Sequence, residues 1–122
     1  MVSNYKIFKT IAIVLGLIIF FWLIYDYQNS IGKVNQNYIE ANNNFLKKNY
    51  LKALDLYRKV SELEPNNLYA LEGEARCLMR LQNHNEALEI FKLVLKRDKN
   101  FVPALTNIAI LYDTIEDYEK AI

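Results

Sequence analysis

The order of apolar and polar positions divides the chain into an apolar amino-terminal stretch and a longer amphipathic region. No charged side chain occurs from Thr10 to Tyr25, and extending this stretch back to Ile7 gives 19 residues. As a helix with a rise of about 1.5 Å per residue, it would be about 28 Å long, close to a hydrocarbon core of about 30 Å. It lacks the polar stripe of a helix from a soluble domain. We therefore predict a transmembrane helix over residues 7–25, preceded by residues 1–6.

The residues around this stretch favour an uncleaved anchor over a signal peptide. A cleavage site requires small residues after the apolar core, whereas this core continues into Phe-Phe-Trp-Leu-Ile-Tyr-Asp-Tyr. Trp22, Tyr25 and Tyr27 lie where the aromatic belt of a membrane interface is expected. Lys9 lies near the other end, from which its ammonium group can reach the lipid headgroups.

Flanking charges predict the orientation of this helix. Lys6 and Lys9 precede the apolar core, Asp26 follows it, and the next cation is Lys33. Because an excess of lysine and arginine stays on the cytoplasmic side, the amino terminus is expected inside and the rest of the chain outside the cytoplasm. In a bacterium with two membranes, this predicts a single-pass protein of the inner membrane with a periplasmic domain.

The polar residues 26–33 include Gly32 and are interpreted as a short linker after the membrane helix. The alternative is one uninterrupted helix that passes through this segment into the amphipathic region. Helical spacing is kept across the segment by five positions, namely Ile31, Val34, Tyr38, Ala41 and Phe45.

From residue 34 onward, similar residues recur at an interval of 34. Two series of alanines have this spacing, Ala41, Ala75 and Ala109, and Ala53, Ala87 and Ala121. The same interval separates Tyr57 from Phe91 and Val60 from Val94. A period of this length is typical of a repeated helix–turn–helix unit. The helices are expected at residues 34–47, 50–63, 67–81, 84–97 and 101–115, with another beginning at Tyr118.

Asparagine and aspartate mark the expected starts of these helices. Asn49, Asn83 and Asp117 precede the second helix of each unit, and Asn66 and Asn100 precede the first helix of the second and third units. Their side chains can accept a hydrogen bond from an unpaired N–H group of the first helical turn. The sequence therefore predicts side-chain capping at these positions.

The unit resembles the tetratricopeptide repeat. The small residues at the helix crossing match this family, as do the bulky Tyr57 and Phe91 that follow them. The family's helix-ending proline is present as Pro65 and is replaced by Lys99 in the second unit. The resemblance implies an all-α fold, with the transmembrane helix followed by an α-solenoid of about two and a half helix–turn–helix repeats. The repeat domain covers residues 34–122, with repeats at 34–67 and 68–101 and an incomplete one at 102–122.

The resemblance also implies a concave groove, lined by the first helix of each unit, in which a peptide or a partner's helix binds. The corresponding residues are Tyr38, Asn42, Phe45, Tyr69, Glu72, Arg76, Met79, Arg80, Thr106, Ile110 and Asp113. Some members bind a carboxyl-terminal carboxylate with a clamp of lysine, arginine and asparagine, of which this chain matches only Asn42. A groove with Arg76 and Arg80 at its middle fits a tyrosine- or acid-containing segment better.

The third unit is incomplete in this sequence, which leaves one face of its first helix without the second helix that would cover it. That face, called the open face below, is apolar and consists of Leu105, Ile108, Ala109 and Tyr112. Because a contiguous exposed apolar patch marks an interaction site, we expect it to be covered by another copy of the chain, by a partner's helix or by further sequence. A homo-oligomer or a larger complex is one expected outcome.

Composition argues against an enzyme and against a nucleic-acid-binding protein. The net charge is +1, and the residues after the membrane helix hold 13 basic and 14 acidic groups, so no basic patch for phosphates is expected. Cys77 is the single cysteine and is interpreted as a small packing residue. His84 is the single histidine and is interpreted as a ring packed in a turn. We therefore predict no catalytic residues, no cofactor and no metal site.

Three functions are consistent with the sequence. The first is a membrane-tethered protein–protein interaction module that recruits or scaffolds partner proteins in the cell envelope. The second is a structural subunit of a large oligomeric envelope machine for motility, secretion or assembly. The third is a receptor of an organellar outer membrane, with cytosolic repeats that bind targeting sequences. Topology separates the third function from the others, and size in mild detergent separates the second from the first.

Overall fold

The computed structural model describes residues 2–121, without the side chains of Val2, Tyr118, Lys120 and Ala121. Over this range the protein consists of helices joined by short turns, and the described residues form no β-strand. The predicted all-α class is therefore confirmed. The five helices are α1 (Val2–Leu46), α2 (Tyr50–Leu63), α3 (Leu68–Arg80), α4 (His84–Arg97) and α5 (Val102–Ala121).

The residues up to Lys33 form one unit of the structure, made of the first part of α1. The apolar side chains of this unit, among them Phe21 and Trp22, are exposed. By length and composition, α1 is the one described helix that could cross a membrane. Residues 26–33, for which a linker and a continuous helix were both considered, are helical.

The residues from Val34 onward form a second unit, in which helices that follow one another in the chain also pack together. Helix α2 packs against α3, α3 against α4, and α4 against α5. The repeated alanines of the first two units lie fully buried in one core, at Ala41, Ala53, Ala75 and Ala87. Such small side chains let two helices approach closely. The fully buried rings of Tyr57 and Phe91 belong to the same core.

The turns within the first two repeats each contain a residue in the left-handed region, Lys48 with φ 64° and Gln82 with φ 63°. This conformation costs a non-glycine residue about 1–2 kcal/mol, and the packing of the two helices that it joins offsets the cost. The corresponding residue of the third unit is Glu116, through which α5 continues without interruption. The prediction of a turn at Asp117 and a new helix at Tyr118 is therefore wrong. Glu116 has the helical backbone of α5, whereas its counterparts Lys48 and Gln82 are left-handed and lie in turns.

The predicted side-chain caps of α2 and α4 are also wrong. Asn49 and Asn83 directly precede these helices, but neither side chain accepts a hydrogen bond from the first turn. The amide group of Asn83 instead donates to Glu86 Oε2 at 2.7 Å, and that of Asn49 donates to Asn44 Oδ1 at 3.4 Å. The amide group of each asparagine thus donates a hydrogen bond to a neighbouring side-chain oxygen.

The cap of α3 differs from the prediction by one position, and α5 begins at Val102, two residues after Asn100. At α3 the cap is Asn67 rather than Asn66, and its Oδ1 accepts a hydrogen bond from the backbone N–H of Ala70 at 3.1 Å. Ahead of α5, the backbone N–H of Asn100 donates to Asp98 Oδ1 at 3.0 Å, within the turn that precedes the helix. Two consecutive turns between repeats are therefore organised by different side chains.

Candidate functional site

Four helices border a surface cavity of about 330 Å³, called the central cavity below. Its lining comes from the end of α1, from α3, from the start of α4 and from α5. The lining residues are Phe45, Arg76, Met79, Arg80, His84, Asn107, Ile110 and Thr114. Five of these, from three different helices, are residues that the sequence predicted for the groove. The structure therefore brings the middle of the predicted groove together.

Arg76 is held in place by other residues of the groove. Its Nε lies 2.9 Å from Glu72 Oε1, and its guanidinium carbon lies 4.5 Å from the centre of the Phe45 ring. Glu72 is buried, and its Oε1 also accepts a hydrogen bond from Asn107 Nδ2 at 2.8 Å. Burial raises the pKa of Glu72, and the nearby Arg76 and the hydrogen bond from Asn107 act against this rise. The charge of Arg76 is thus balanced from within the protein.

Tyr57 connects this network to the first repeat. Its hydroxyl donates to Asn42 Oδ1 at 2.6 Å and accepts a hydrogen bond from Arg76 Nη2 at 3.4 Å. Burial raises the pKa of Tyr57 to about 12, although Arg76 acts against the rise. The hydroxyl therefore stays protonated near neutral pH. Asn42, the residue that matches the carboxylate clamp, is already engaged by Tyr57.

Arg80 differs from Arg76 in having no internal partner. It lies at the end of α3, its side chain is exposed, and it makes no ion pair with any residue that the structure describes. It lines the central cavity and also an adjoining outer cavity of about 650 Å³. The two cavities share four residues, Met79, Arg80, His84 and Thr114, and the outer one is completed by Gln82 and Asp117. Arg80 thus lies where the two cavities meet.

The predicted groove residues Tyr38 and Tyr69 lie apart from the central cavity. The ring of Tyr38 packs edge-on against Tyr57, with centroids 5.9 Å apart, and Tyr69 packs in the same manner against Phe101 at 5.1 Å. Both tyrosines line a small cavity of about 140 Å³. Tyr69 also borders a cavity of about 710 Å³ formed at the two turns between repeats. These two tyrosines therefore form a second, aromatic region of the predicted groove.

The remaining predicted groove residues lie on α5. Ile110 lines the central cavity, whereas Thr106 and Asp113 are exposed outside its lining. The hydroxyl of Thr106 donates to the backbone carbonyl of Val102 at 3.0 Å. Of these three residues, only Ile110 therefore belongs to the central cavity.

The open face of α5 is only partly covered. Leu105 is 46% exposed and Tyr112 is 51% exposed, and Ala109 is exposed as well. Ile108 is half-buried because it packs against the main core. The expectation that another copy, a partner or further sequence covers this face stays a prediction.

Three residues that line the central cavity were absent from the predicted groove: Asn107, His84 and Thr114. Asn107 reaches the cavity because its side chain donates a hydrogen bond to Glu72 of α3. No position of the repeat predicts that pairing. His84 begins α4 and is half-buried, and its Nδ1 has no hydrogen-bond partner among the described residues. The position of His84 after a turn predicts a packed ring, whereas only the fold shows that the ring lies beside the cavity.

No three His, Cys, Asp or Glu side chains among the described residues are grouped so that they could hold a metal ion. Cys77 is fully buried, and burial raises the pKa of its thiol to about 12. The thiol is therefore neutral and packs in the core, as the sequence predicts.

Comparison with known proteins agrees with the repeat fold. A family model described as "Tetratricopeptide repeat" matches residues 45–108, just over half of the chain. RNA polymerase-associated protein CTR9 of Saccharomyces cerevisiae is 35% identical over 91 residues, which are 75% of this chain but 8% of that protein. Among solved structures, the Sgt2 TPR domain from Aspergillus fumigatus superposes with a TM-score of 0.64 at 24% identity, over 70% of this chain and 57% of that one.

A second solved structure, the TPR2B domain of yeast Sti1 in complex with pHsp70, gives a TM-score of 0.65 at 22% identity. The match covers 73% of this chain and 71% of that one. At these identities the two structures establish the fold alone. The matched residues 45–108 contain the period, the buried alanines Ala53, Ala75 and Ala87, and the helix pairs described above. The chain belongs to the tetratricopeptide repeat family.

Proposed function

We propose that this chain is a membrane-tethered protein–protein interaction module of the cell envelope. The observation that carries the proposal is the central cavity, where apolar and polar side chains converge. Phe45, Met79 and Ile110 supply apolar surface, and the other five lining residues, Arg76, Arg80, His84, Asn107 and Thr114, supply polar groups. In a binding pocket, convergent polar groups fix the orientation of the ligand and apolar surface is buried against it. A segment of a partner protein binds along the first helices, with one side chain in the central cavity.

The family and the comparisons support a binding role rather than catalysis. Tetratricopeptide repeats typically serve as interaction modules without enzymatic activity of their own. The Sti1 domain, which shares the fold, is described in complex with pHsp70. By likeness, the proposed ligand of the present groove is also a protein segment.

The tether is proposed from α1. Its first part combines sufficient length with an apolar and fully exposed surface, and an exposed surface of this kind is stable in lipid. The charge bias of Lys6 and Lys9 supports a cytoplasmic amino terminus. The repeats then lie outside the cytoplasm, in the periplasm of a bacterium with two membranes.

A pull-down from membranes tests the groove. The tagged full chain is compared with the variant Ile110→Asp, which places a charge in the wall of the central cavity. The matched control is Leu93→Asp, which changes an exposed leucine of α4 that lines none of the cavities described above. Wild type and control should retain the same partner, and Ile110→Asp should lose it. Equal retention by all three proteins would show that the groove is not the binding surface.

Extraction and topology measurements test the tether. Alkaline carbonate should leave the intact chain with the membranes, and deletion of residues 1–28 should release it. A reporter that is active only in the cytoplasm should be inactive when fused after Ile122. Recovery of the intact chain in the soluble fraction contradicts the tether. An active reporter contradicts the orientation and favours the organellar receptor with cytosolic repeats.

The second candidate function is a structural subunit that stacks on copies of itself. The observation in its favour is the open face of α5, where Leu105 and Tyr112 are about half exposed. Size measurement of the full chain in mild detergent separates this function from the first. A single chain per micelle supports the tethered module, and a defined oligomer supports the structural subunit.

A further inference from the structure

The two arginines of the groove differ in ion pairing and in solvent exposure. Arg76 is paired with buried Glu72 and stacked on Phe45, and 29% of its side chain is exposed. Arg80, one helical turn further along α3, is exposed and has no ion-pair partner among the described residues. The groove therefore contains a cation whose charge is not paired by any described side chain.

The two cavities that meet at Arg80 differ in charge. Among the described residues that line the central cavity there is no carboxylate, and the nearby Glu72 is paired with Arg76 and Asn107. The outer cavity, in contrast, is bordered by Asp117 of α5. The exposed Asp113 is also on α5 but lines neither cavity. An anion is consequently favoured at Arg80 on the inner side and disfavoured on the outer side.

We propose that the groove selects partner segments that carry an aspartate or glutamate side chain next to an apolar one. The carboxylate enters the central cavity and pairs with Arg80, and the apolar neighbour packs against Met79 and Ile110. The proposal rests on the proposed function, since it names the partner chemistry of the same groove. The guanidinium group can bind a carboxylate through two parallel hydrogen bonds. The repulsion from Asp117 places a neutral or basic residue of the partner in the outer cavity.

The proposed role distinguishes Arg80 from Arg76. Loss of Arg76 leaves the buried Glu72 without its cation, so it lowers stability whether or not a ligand binds. Loss of Arg80 breaks no ion pair or hydrogen bond within the described part of the chain, so its main effect should be on binding, with at most a small loss of stability from the end of α3. Arg80 is therefore a specificity-determining residue in this proposal, and Arg76 is a structural one.

A display library of short random peptides tests the selection. The full chain, held in lipid nanodiscs, is the bait, together with Arg80→Gln, Arg80→Lys and Asp117→Asn. Lys92→Gln serves as the control, because Lys92 is an exposed cation of α4 that lines none of the cavities described above. Peptides recovered with the wild type are then synthesised with the acidic residue either kept or replaced by its amide. Their affinities are measured at low and at moderate salt.

The wild type should enrich peptides with an acidic residue beside an apolar one, and the amide peptide should bind about tenfold more weakly. Arg80→Gln should bind the two peptides equally, Arg80→Lys should keep part of the preference, and Asp117→Asn should tighten the acidic peptide. Lys92→Gln should behave as wild type. Peptides bound without acidic enrichment, or a preference that survives Arg80→Gln, would overturn this inference and leave the proposed function standing. Recovery of no peptide by the wild type would count against both.

Discussion

Replacement of Gly73 by alanine is expected to destabilise the repeats, although alanine favours helices. Gly73 lies within α3, and a Cβ atom at this position would lie 2.5 Å from Cε1 and 2.6 Å from Cζ of Tyr57. Tyr57 is fully buried, and its hydroxyl is bonded to Asn42 at 2.6 Å, so a shift of the ring would disturb both the core and this hydrogen bond. Overpacking of a core in this way typically costs about 1–3 kcal/mol.

Two smaller effects act in opposite directions. Alanine is favoured over glycine in a helix interior by about 1 kcal/mol. Displacement of the ring would weaken the hydrogen bond between Tyr57 and Asn42, a contribution of about 1 kcal/mol. Because these effects nearly cancel, Gly73→Ala should lower the free energy of unfolding by about 1–3 kcal/mol. Gly32→Ala is the matched control, since Gly32 is also helical and a Cβ there would meet nothing within 4 Å.

Urea unfolding of the full chain in detergent, followed by circular dichroism, measures both changes. Gly73→Ala should shift the midpoint to lower urea, and Gly32→Ala should leave it unchanged or raise it. In a Tyr57→Leu background, where the ring is absent, Gly73→Ala should become neutral or stabilising. A Gly73→Ala protein as stable as the wild type would refute the fixed contact between this ring and the α3 backbone.

Three further predictions concern packing, titration and the open face. Ala75→Leu and Ala87→Leu should each lower the free energy of unfolding by about 1–3 kcal/mol, because both alanines are fully buried, and an unchanged melting temperature would contradict their packing role. Burial raises the pKa of Glu74, so the folded protein holds this proton more tightly than the unfolded chain does, and the associated stability is lost as pH rises through the raised pKa. The stability of Glu74→Gln relative to the wild type should therefore increase with pH in urea titrations across that window, and a constant difference would contradict the raised pKa. If the open face joins copies of the chain, Ile108→Glu with Tyr112→Glu should reduce the size of the complex in sedimentation, and an unchanged size would exclude that role.

The repeat and its core could be predicted because their determinants are local and periodic. Each of the buried positions Ala41, Ala53, Ala75 and Ala87 is a small residue at a fixed interval, so sequence alone identifies it. The bounds of α2 and α4 were predicted correctly for the same reason. The lining of the central cavity by Phe45, Arg76, Met79, Arg80 and Ile110 followed from the positions that the family uses for its groove.

The remaining features depend on side-chain pairings and burial that the 34-residue interval does not predict. The amide group of Asn83 donates to Glu86, and its side chain accepts no hydrogen bond from the first turn of α4. Helix α5 continues through Glu116, the position at which the other two repeats turn, so the interval alone does not predict where this helix ends. The difference between Arg76 and Arg80 depends on Glu72, whose burial and pairing are visible only in the folded chain.

The binding role of the groove is tested most directly by photo-crosslinking in native membranes. A photoreactive amino acid is placed at Thr114, which lines both cavities, and in parallel at Lys92, which lines neither. A discrete adduct with one protein should form from Thr114 and not from Lys92, and Ile110→Asp in the same chain should abolish it. Equal adducts from both positions, or an adduct from Thr114 that survives Ile110→Asp, would contradict the assignment of the groove as the partner-binding surface.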